Sequence, residues 1–126
     1  MSLDRVSKYW PEILSIARIV IGLLFLEHGL QKYFGFPSAT PPGDTLHYIQ
    51  GALEVAGGIL LALGLWTRLV AFILSGDMAV AYFMSHAPKN FFPMLNGGDA
   101  AILYCFVFFL YFFAGPGRWA VDARAK

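Results

Sequence analysis

Charged residues are scarce in this sequence. They make up 13% of its 126 residues, whereas an ordinary soluble domain has roughly 25%. The net charge is +1, so the chain has neither a basic field for nucleic acid nor an acidic tail. Because 58% of the residues are hydrophobic, a soluble domain of this size would lack the polar groups needed to cover its surface. The composition therefore excludes a nucleic-acid-binding protein and indicates a chain that lies in a lipid bilayer.

Cysteine is almost absent. The single cysteine, Cys105, lies in the apolar run 100–114, and one cysteine forms no intrachain disulfide, dithiol redox pair or thiolate cage. A cleaved signal peptide is not indicated, because the first apolar stretch contains Arg18 and no clear small-x-small exit. No HxxxH or ExxH spacing occurs, so we predict no metal site.

Long apolar segments dominate the chain. A membrane-crossing helix needs about 20 mostly apolar residues, and four segments bounded by charges or by Gly and Pro meet this need, at 11–32, 46–65, 69–86 and 97–115. We therefore predict an all-α, polytopic membrane protein. Residues 1–126 are expected to form one domain, a bundle of four transmembrane helices.

The basic residues predict the orientation. Four crossings place both termini and the turn near residue 67 on one side of the membrane. That side carries six of the nine basic residues: Arg5, Lys8, Arg68, Arg118, Arg124 and Lys126. Basic residues accumulate in cytoplasmic segments, so we expect cytoplasmic termini and a multi-pass protein of the bacterial inner membrane.

Ionisable residues also lie inside the predicted spans, where burial is costly unless they face the bundle interior and find partners. Five of them collect in the outer half and form the predicted ligand-binding site: His28, Lys32, Glu54, His86 and Asp99. For Glu54 with His28, a ligand or proton site and a purely structural hydrogen-bonded pair are both open. Glu27 projects from the opposite face of its helix, toward another subunit, a lipid headgroup or solvent.

Two further charges are expected to pair. Arg18 and Asp77 lie at similar estimated depths from the cytoplasmic side, which predicts a structural buried ion pair. Glycines at helical spacing line both the first and the second span. Small residues allow helix backbones to approach closely, so these glycines are interpreted as packing positions.

The same residues resemble a known family. The pattern Arg18-x3-Gly22-x2-Phe25-x2-His28-Gly29-x2-Lys32 is similar to the first-helix signature of the DoxX family, small bacterial membrane proteins. Gly51-x2-Glu54-x2-Gly57-Gly58, Asp77-Met78, Asn96-Gly97-Gly98-Asp99 and Gly115-Pro116-Gly117 continue the resemblance in order, over about residues 13–123. It implies a four-helix integral membrane protein. Some relatives are subunits of a thiosulfate:quinone oxidoreductase or of other membrane-associated oxidoreductase assemblies, but no catalytic residues carry over.

Three functions follow as expectations. The first is a membrane subunit of a redox assembly with a quinone as candidate ligand, partnered by other membrane subunits or by a second copy of itself. The polar residues would hold the headgroup, and the aromatic fourth span would supply an apolar slot. The second is a non-catalytic structural or assembly subunit. The third is a small carrier or proton-conducting protein that uses the same carboxylates.

Overall fold

The computed structural model, which describes residues 2–124, consists of helices joined by loops, the longest of them at residues 35–44. Within this range every regular element is a helix, which confirms the all-α prediction. The α-helices are α1 Trp10–Phe34, α2 Thr45–Leu63, α3 Thr67–Ala81, α4 Pro93–Asn96, α5 Asp99–Ala114 and α6 Val121–Arg124. A 3-10 helix, Leu3–Tyr9, precedes α1, and a π-helical segment, Tyr82–His86, continues α3.

Three helical segments of the described chain are long and apolar enough to cross a membrane: Leu3–Phe34, Thr45–Leu63 and Thr67–His86. The fourth predicted span contains α5, which is apolar but only 16 residues long. At 1.5 Å per residue this is about 24 Å, less than the hydrocarbon thickness of about 30 Å. The single turn α4 precedes α5 and is separated from it by Gly97 and Gly98.

Local sequence sets where the first two long helices begin and end. Pro11 lies in the first turn of α1, where its missing N–H costs nothing. The Asp44 carboxylate caps α2 by accepting a hydrogen bond from the His47 backbone N–H at 3.0 Å. Gly35 and Gly64 end the two helices with φ of 64° and 71°, a left-handed conformation that glycine adopts without steric cost.

Helices α1 and α2 pack backbone against backbone. A Cβ added to Gly22 would lie 2.7 Å from the Ala62 nitrogen, and one added to Gly58 would lie 2.8 Å from the Gly22 oxygen. A Cβ on Gly29 would lie 2.8 Å from the Gly51 oxygen. Side chains do not fit at these distances, so the interpretation of the glycines as packing positions is confirmed.

Helix α3 packs along α5, and the two helix pairs share one apolar core. The Ser75 hydroxyl of α3 donates a hydrogen bond to the Cys105 carbonyl of α5 at 2.8 Å. Phe25 of α1 meets Phe108 of α5 edge to face, with ring centroids 5.0 Å apart. These rings and Leu74 are almost completely buried, so the core lies between the pairs rather than within either one.

Arg18 is buried at the end of the bundle that carries the termini, with 1% of its surface exposed. Its guanidinium donates to the carbonyls of Leu61 at 2.8 Å and Ala62 at 3.3 Å, at the C-terminal end of α2. It also donates to the carbonyls of Pro116 and, at 2.7 Å, Trp119, in the segment after α5. A cation is favoured at a helix C-terminus, where several carbonyls lack partners.

Candidate functional site

The centre of the candidate site is an ion pair between Lys32 near the end of α1 and Glu54 of α2. Glu54 is 3% exposed, and its carboxylate accepts a hydrogen bond from the Lys32 ammonium. The aliphatic part of Lys32 passes over Gly51, since a Cβ added there would lie 3.3 Å from both Cβ and Cδ of the lysine. The glycine at position 51 therefore leaves room for the Lys32 side chain to reach a buried carboxylate.

A cavity of about 420 Å³ lies beside this ion pair, a volume within the usual range of ligand pockets. Its polar lining comes from α1, α2 and the π-helical end of α3: His28, Lys32, His47, Gln50, Glu54, Ser85 and His86. Phe25, Met78, Ala101 and Tyr104 provide apolar and aromatic walls. All three histidines of the sequence therefore border one cavity.

Two of these histidines have a backbone carbonyl within hydrogen-bond distance of Nδ1. His28 Nδ1 lies 2.9 Å from the Leu24 carbonyl, and His86 Nδ1 lies 3.1 Å from the Asn96 carbonyl. Because a carbonyl oxygen only accepts, we assign the ring proton to Nδ1 in both. In that tautomer Nε2 of each ring carries the lone pair, which can accept a hydrogen bond from a ligand.

Part of the cavity lining was not predicted from the sequence. His47 was not among the predicted site residues, but it borders the cavity, and its Nε2 is buried without a hydrogen-bond partner among residues 2–124. Gln50 and Tyr104 were not selected at all. The available signal was the spacing of His47, Gln50 and Glu54, which at i, i+3 and i+7 places all three on one face of α2.

Asp99 does not join the site. It is the first residue of α5, is exposed, and is not part of the cavity lining. Asn96 is the buried polar residue of this turn, and its side chain bonds the Asn90 carbonyl at 2.9 Å and the Gly98 N–H at 2.8 Å. These bonds fix the break between α4 and α5 so that the chain turns outward at Asp99. The predicted site thus keeps His28, Lys32, Glu54 and His86 at the cavity and loses Asp99.

The predicted ion pair between Arg18 and Asp77 is wrong. The Arg18 guanidinium donates hydrogen bonds to backbone carbonyls, and among residues 2–124 it forms no salt bridge. Asp77 lies on α3 beside Gln50, in the electrostatic field of Glu54 and Lys32. Its Oδ2 is buried and has no hydrogen-bond partner in the described chain. The estimate of depth compared positions along two separate helices. It did not show that the guanidinium meets the carbonyls at the end of α2 instead of the Asp77 carboxylate.

A larger cavity, about 630 Å³, lies at the opposite end of the bundle between the start of α1, the start of α3 and the end of α5. Its lining within residues 2–124 includes two charged side chains, and both form hydrogen bonds with backbone groups. The Arg68 guanidinium donates to the carbonyls of Phe112 at 3.1 Å and Phe113 at 2.7 Å. The Asp122 carboxylate is the other charge. Since neither is left over for a ligand, the smaller cavity is the better candidate.

Asp122 caps α3 from a distant part of the sequence. Its two carboxylate oxygens accept hydrogen bonds from the backbone N–H groups of Trp66 and Thr67, both at 2.8 Å. Burial alone would raise the pKa of Asp122, but these hydrogen bonds and the charge of Arg18 outweigh it and hold the pKa below its ordinary value. The carboxylate is therefore a structural anion at the positive end of α3.

Metal ligands do not converge in the described chain. Among residues 2–124, no group of three or more His, Cys, Asp or Glu side chains is placed to hold a metal ion. The polar groups at the cavity include an ion pair, three imidazoles and an amide next to aromatic walls, and they can donate and accept hydrogen bonds.

The sequence model of the DoxX family matches residues 13–87. An uncharacterized protein of Haemophilus influenzae is 41% identical, over 97% of both chains. An uncharacterized membrane protein of Mycobacterium tuberculosis is 30% identical, over 90% of this chain and 81% of its own length. A Bacillus subtilis protein named CatD, provisionally classed as an oxidoreductase, is 33% identical over 69% of this chain and 75% of its own. No solved structure gives a significant match.

Proposed function

Because the chain belongs to the DoxX family of membrane proteins, we propose that it is the membrane subunit of a redox assembly and binds the headgroup of a quinone. The observation that carries this proposal is the cavity beside Lys32 and Glu54, which combines a polar side with aromatic walls. Three of the helical segments that line it are long and apolar enough to cross a bilayer, and the fourth, α5, is a shorter apolar helix. A lipid-soluble ligand with a small polar head fits such surroundings.

The donors and acceptors suit both oxidation states of a quinone. Quinone oxygens only accept hydrogen bonds, and the Gln50 amide and the Tyr104 hydroxyl at the cavity supply donors. Quinol hydroxyls donate, and the Nε2 atoms of His28 and His86 accept in the tautomers assigned from their Nδ1 contacts. The unpartnered Nε2 of His47 is a further group that a bound ligand would satisfy.

The relatives give the proposal limited support. The name of the Bacillus subtilis relative includes oxidoreductase chemistry, which is consistent with a redox assembly. The other relatives are uncharacterized. Likeness of fold does not fix function, so the proposal depends on the cavity and is tested there.

The proposed topology has four membrane helices and cytoplasmic termini. α5 is short, and we place the single turn α4, which precedes it across Gly97 and Gly98, at the outer end of this fourth span. The end of the bundle with the termini carries exposed Trp10, Trp66 and Trp119, and such rings favour the membrane interface. The basic residues described at this end support a cytoplasmic location, whereas Lys126 lies outside the described residues. Reporter fusions at the C-terminus, active only in the cytoplasm, test this orientation.

The test of function is equilibrium binding of decylubiquinone, and of a naphthoquinone with a hydrocarbon side chain, to the protein in mild detergent. We expect Glu54→Gln to weaken binding about tenfold or more, the scale of one hydrogen bond to a charged group, because Lys32 loses the carboxylate that holds its ammonium at the cavity. Glu27→Gln is the matched control, because Glu27 is exposed and outside the cavity lining, and it should leave binding unchanged.

Four outcomes would contradict the proposal. Failure of both quinones to bind the wild-type protein overturns it. If Glu54→Gln binds the quinones as tightly as the wild type does, the cavity beside Glu54 is not the binding site. Copurification of a stoichiometric partner without quinone binding favours the assembly subunit, and pH-dependent proton flux in proteoliposomes without quinone favours the carrier.

A further inference from the structure

A second, apolar groove adjoins the polar cavity. Its volume is about 260 Å³, and it lies between α1 and α5. Its lining is Ile21, Leu24, Ala100, Leu103, Tyr104 and Val107. Apart from the tyrosine, every one of these side chains is a hydrocarbon, so the groove is suited to an alkyl or isoprenoid chain.

The groove and the cavity share two residues. Ala100 and Tyr104 of α5 line both. The Tyr104 ring lies edge-on to His28 on the polar side, with centroids 6.0 Å apart, and stacks on Phe108 at 5.7 Å. Tyr104 thus stands at the boundary between a polar compartment and an apolar one.

The seam between α1 and α5 is formed by side chains and lacks close backbone packing. α1 packs along α2 and α3 packs along α5, whereas α1 and α5 meet largely through rings such as Phe25 against Tyr104. Leu103 at this seam is 66% exposed. The groove therefore opens on the outer surface of the bundle, where hydrocarbon surrounds a membrane helix.

We propose that this groove holds the hydrocarbon tail of a lipid-soluble ligand whose polar head occupies the cavity, so that the ligand enters sideways from the bilayer between α1 and α5. The inference rests on the proposed function and adds the ligand class: a quinone with a tail, rather than a water-soluble one. Leaving bilayer for groove gains the tail little free energy, because both are apolar. The groove acts by letting the head reach the cavity without drawing the tail into polar surroundings.

The experiment compares two probes on two seam variants. The probes are decylubiquinone, which has a ten-carbon tail, and 2,3-dimethoxy-5-methyl-1,4-benzoquinone, which has the same head without a tail. Leu103→Trp and Val107→Trp fill the groove from α5. Leu110→Trp is the matched control, since Leu110 lies on the same helix, is equally exposed at 66%, and is outside the groove.

We expect Leu103→Trp and Val107→Trp to weaken decylubiquinone binding about tenfold, the scale of one overpacking cost. Binding of the tailless probe should be unchanged, and Leu110→Trp should bind both probes as the wild type does. Each probe is compared between a variant and the wild type. The partition of that probe into detergent is the same in both measurements, so it cancels.

The failures are distinguishable. If the seam variants bind both probes like the wild type, the tail groove is wrong and the quinone proposal survives. If they lose both probes equally, the seam supports the cavity and does not select a tail, which also overturns the inference. If neither probe binds the wild type, the proposed function itself has failed.

Discussion

Lys32 and Glu54 are 22 residues apart in sequence, yet the ammonium of one binds the carboxylate of the other inside the bundle. The lysine side chain is 21% exposed and the glutamate side chain 4% exposed. The pair is therefore asymmetric: the cation reaches inward from the edge to neutralise an anion that is almost completely buried. Removing the cation would leave a buried charge without compensation.

Loss of Lys32 should destabilise the protein. We expect Lys32→Met to lower the free energy of unfolding by about 3 kcal/mol, the low end for breaking a buried pair. The double variant Lys32→Met with Glu54→Gln should regain at least half, because the uncompensated charge is gone. Denaturation in mild detergent measures both.

Lys89→Met is the matched control for this prediction. Lys89 lies at the same end of the bundle but is exposed, so its substitution should change stability little. Additive losses in the double variant would show that Lys32 and Glu54 do not interact.

The tight contact of α1 with α2 should not accept a methyl group. Gly58→Ala places a Cβ 2.8 Å from backbone atoms of α1, and we expect a loss of about 1–3 kcal/mol or more, as in overpacked cores. Gly76→Ala should be neutral or stabilising by about 0.5–1 kcal/mol, because nothing lies within 4 Å of the added atom. The melting temperatures of the two variants test this prediction. Similar values would contradict the close packing of α1 against α2.

The pairing of the two glycine-lined faces could largely be predicted from the sequence, because helical spacing places Gly22 and Gly29 on the stripe that also contains Lys32. The second stripe contains Gly51, Glu54 and Gly58. Joining these two stripes would have given the Lys32–Glu54 pair. The prediction of Glu54 with His28 missed it because the long, flexible lysine side chain reaches past the depth of its own Cα.

Arg18 should matter far more than Asp77. Arg18→Lys keeps the charge but loses the planar fork that serves several carbonyls at once, and we expect a cost of about 2–3 kcal/mol, near that of a hydrogen bond to a charged group. Protease should also cut the segment after α5 more readily. Asp77→Asn should leave this segment unchanged.

A double-mutant cycle of Arg18→Lys with Asp77→Asn should give a coupling energy near zero. A large coupling energy would restore the ion pair that the sequence predicted. The correct partners of Arg18 were hidden in the sequence because the chain after α5 folds back beneath α1, where the Trp119 N–H donates to Ser15 Oγ at 2.9 Å. Helical periodicity carries no information about such a return.

Acid should weaken the cap that Asp122 provides. Its folded-state pKa lies below the ordinary value of 3.8, so its contribution is complete above the unfolded-state pKa and is lost as pH falls through the folded-state value. Asp122→Asn should cost about 1 kcal/mol at pH 7, as for other helix caps. Unfolding of variant and wild type from pH 7 to pH 3 should show the difference shrinking with acid. A difference independent of pH would contradict this role.

Asp99 illustrates what spacing could not supply. Its place at the start of an apolar helix predicted a role at the outer polar site, but the turn at Asn96 and Gly98 directs the chain outward before α5 begins. The orientation of a short break between helices depends on tertiary hydrogen bonds. Such bonds produce no repeating pattern in the sequence from which they could be predicted. His47 is the opposite case, since its spacing from Glu54 already placed it on the cavity face.

The most direct test of the central claim is photolabelling of the wild-type protein in membranes with an azido-substituted quinone, followed by peptide mapping. The account predicts labels on residues that line the cavity, in the segments 25–32, 47–54 and 100–104, and their loss when excess unlabelled decylubiquinone competes. Labels confined to the larger cavity around Trp10 and Trp66, or labels that the competitor does not reduce, would contradict it.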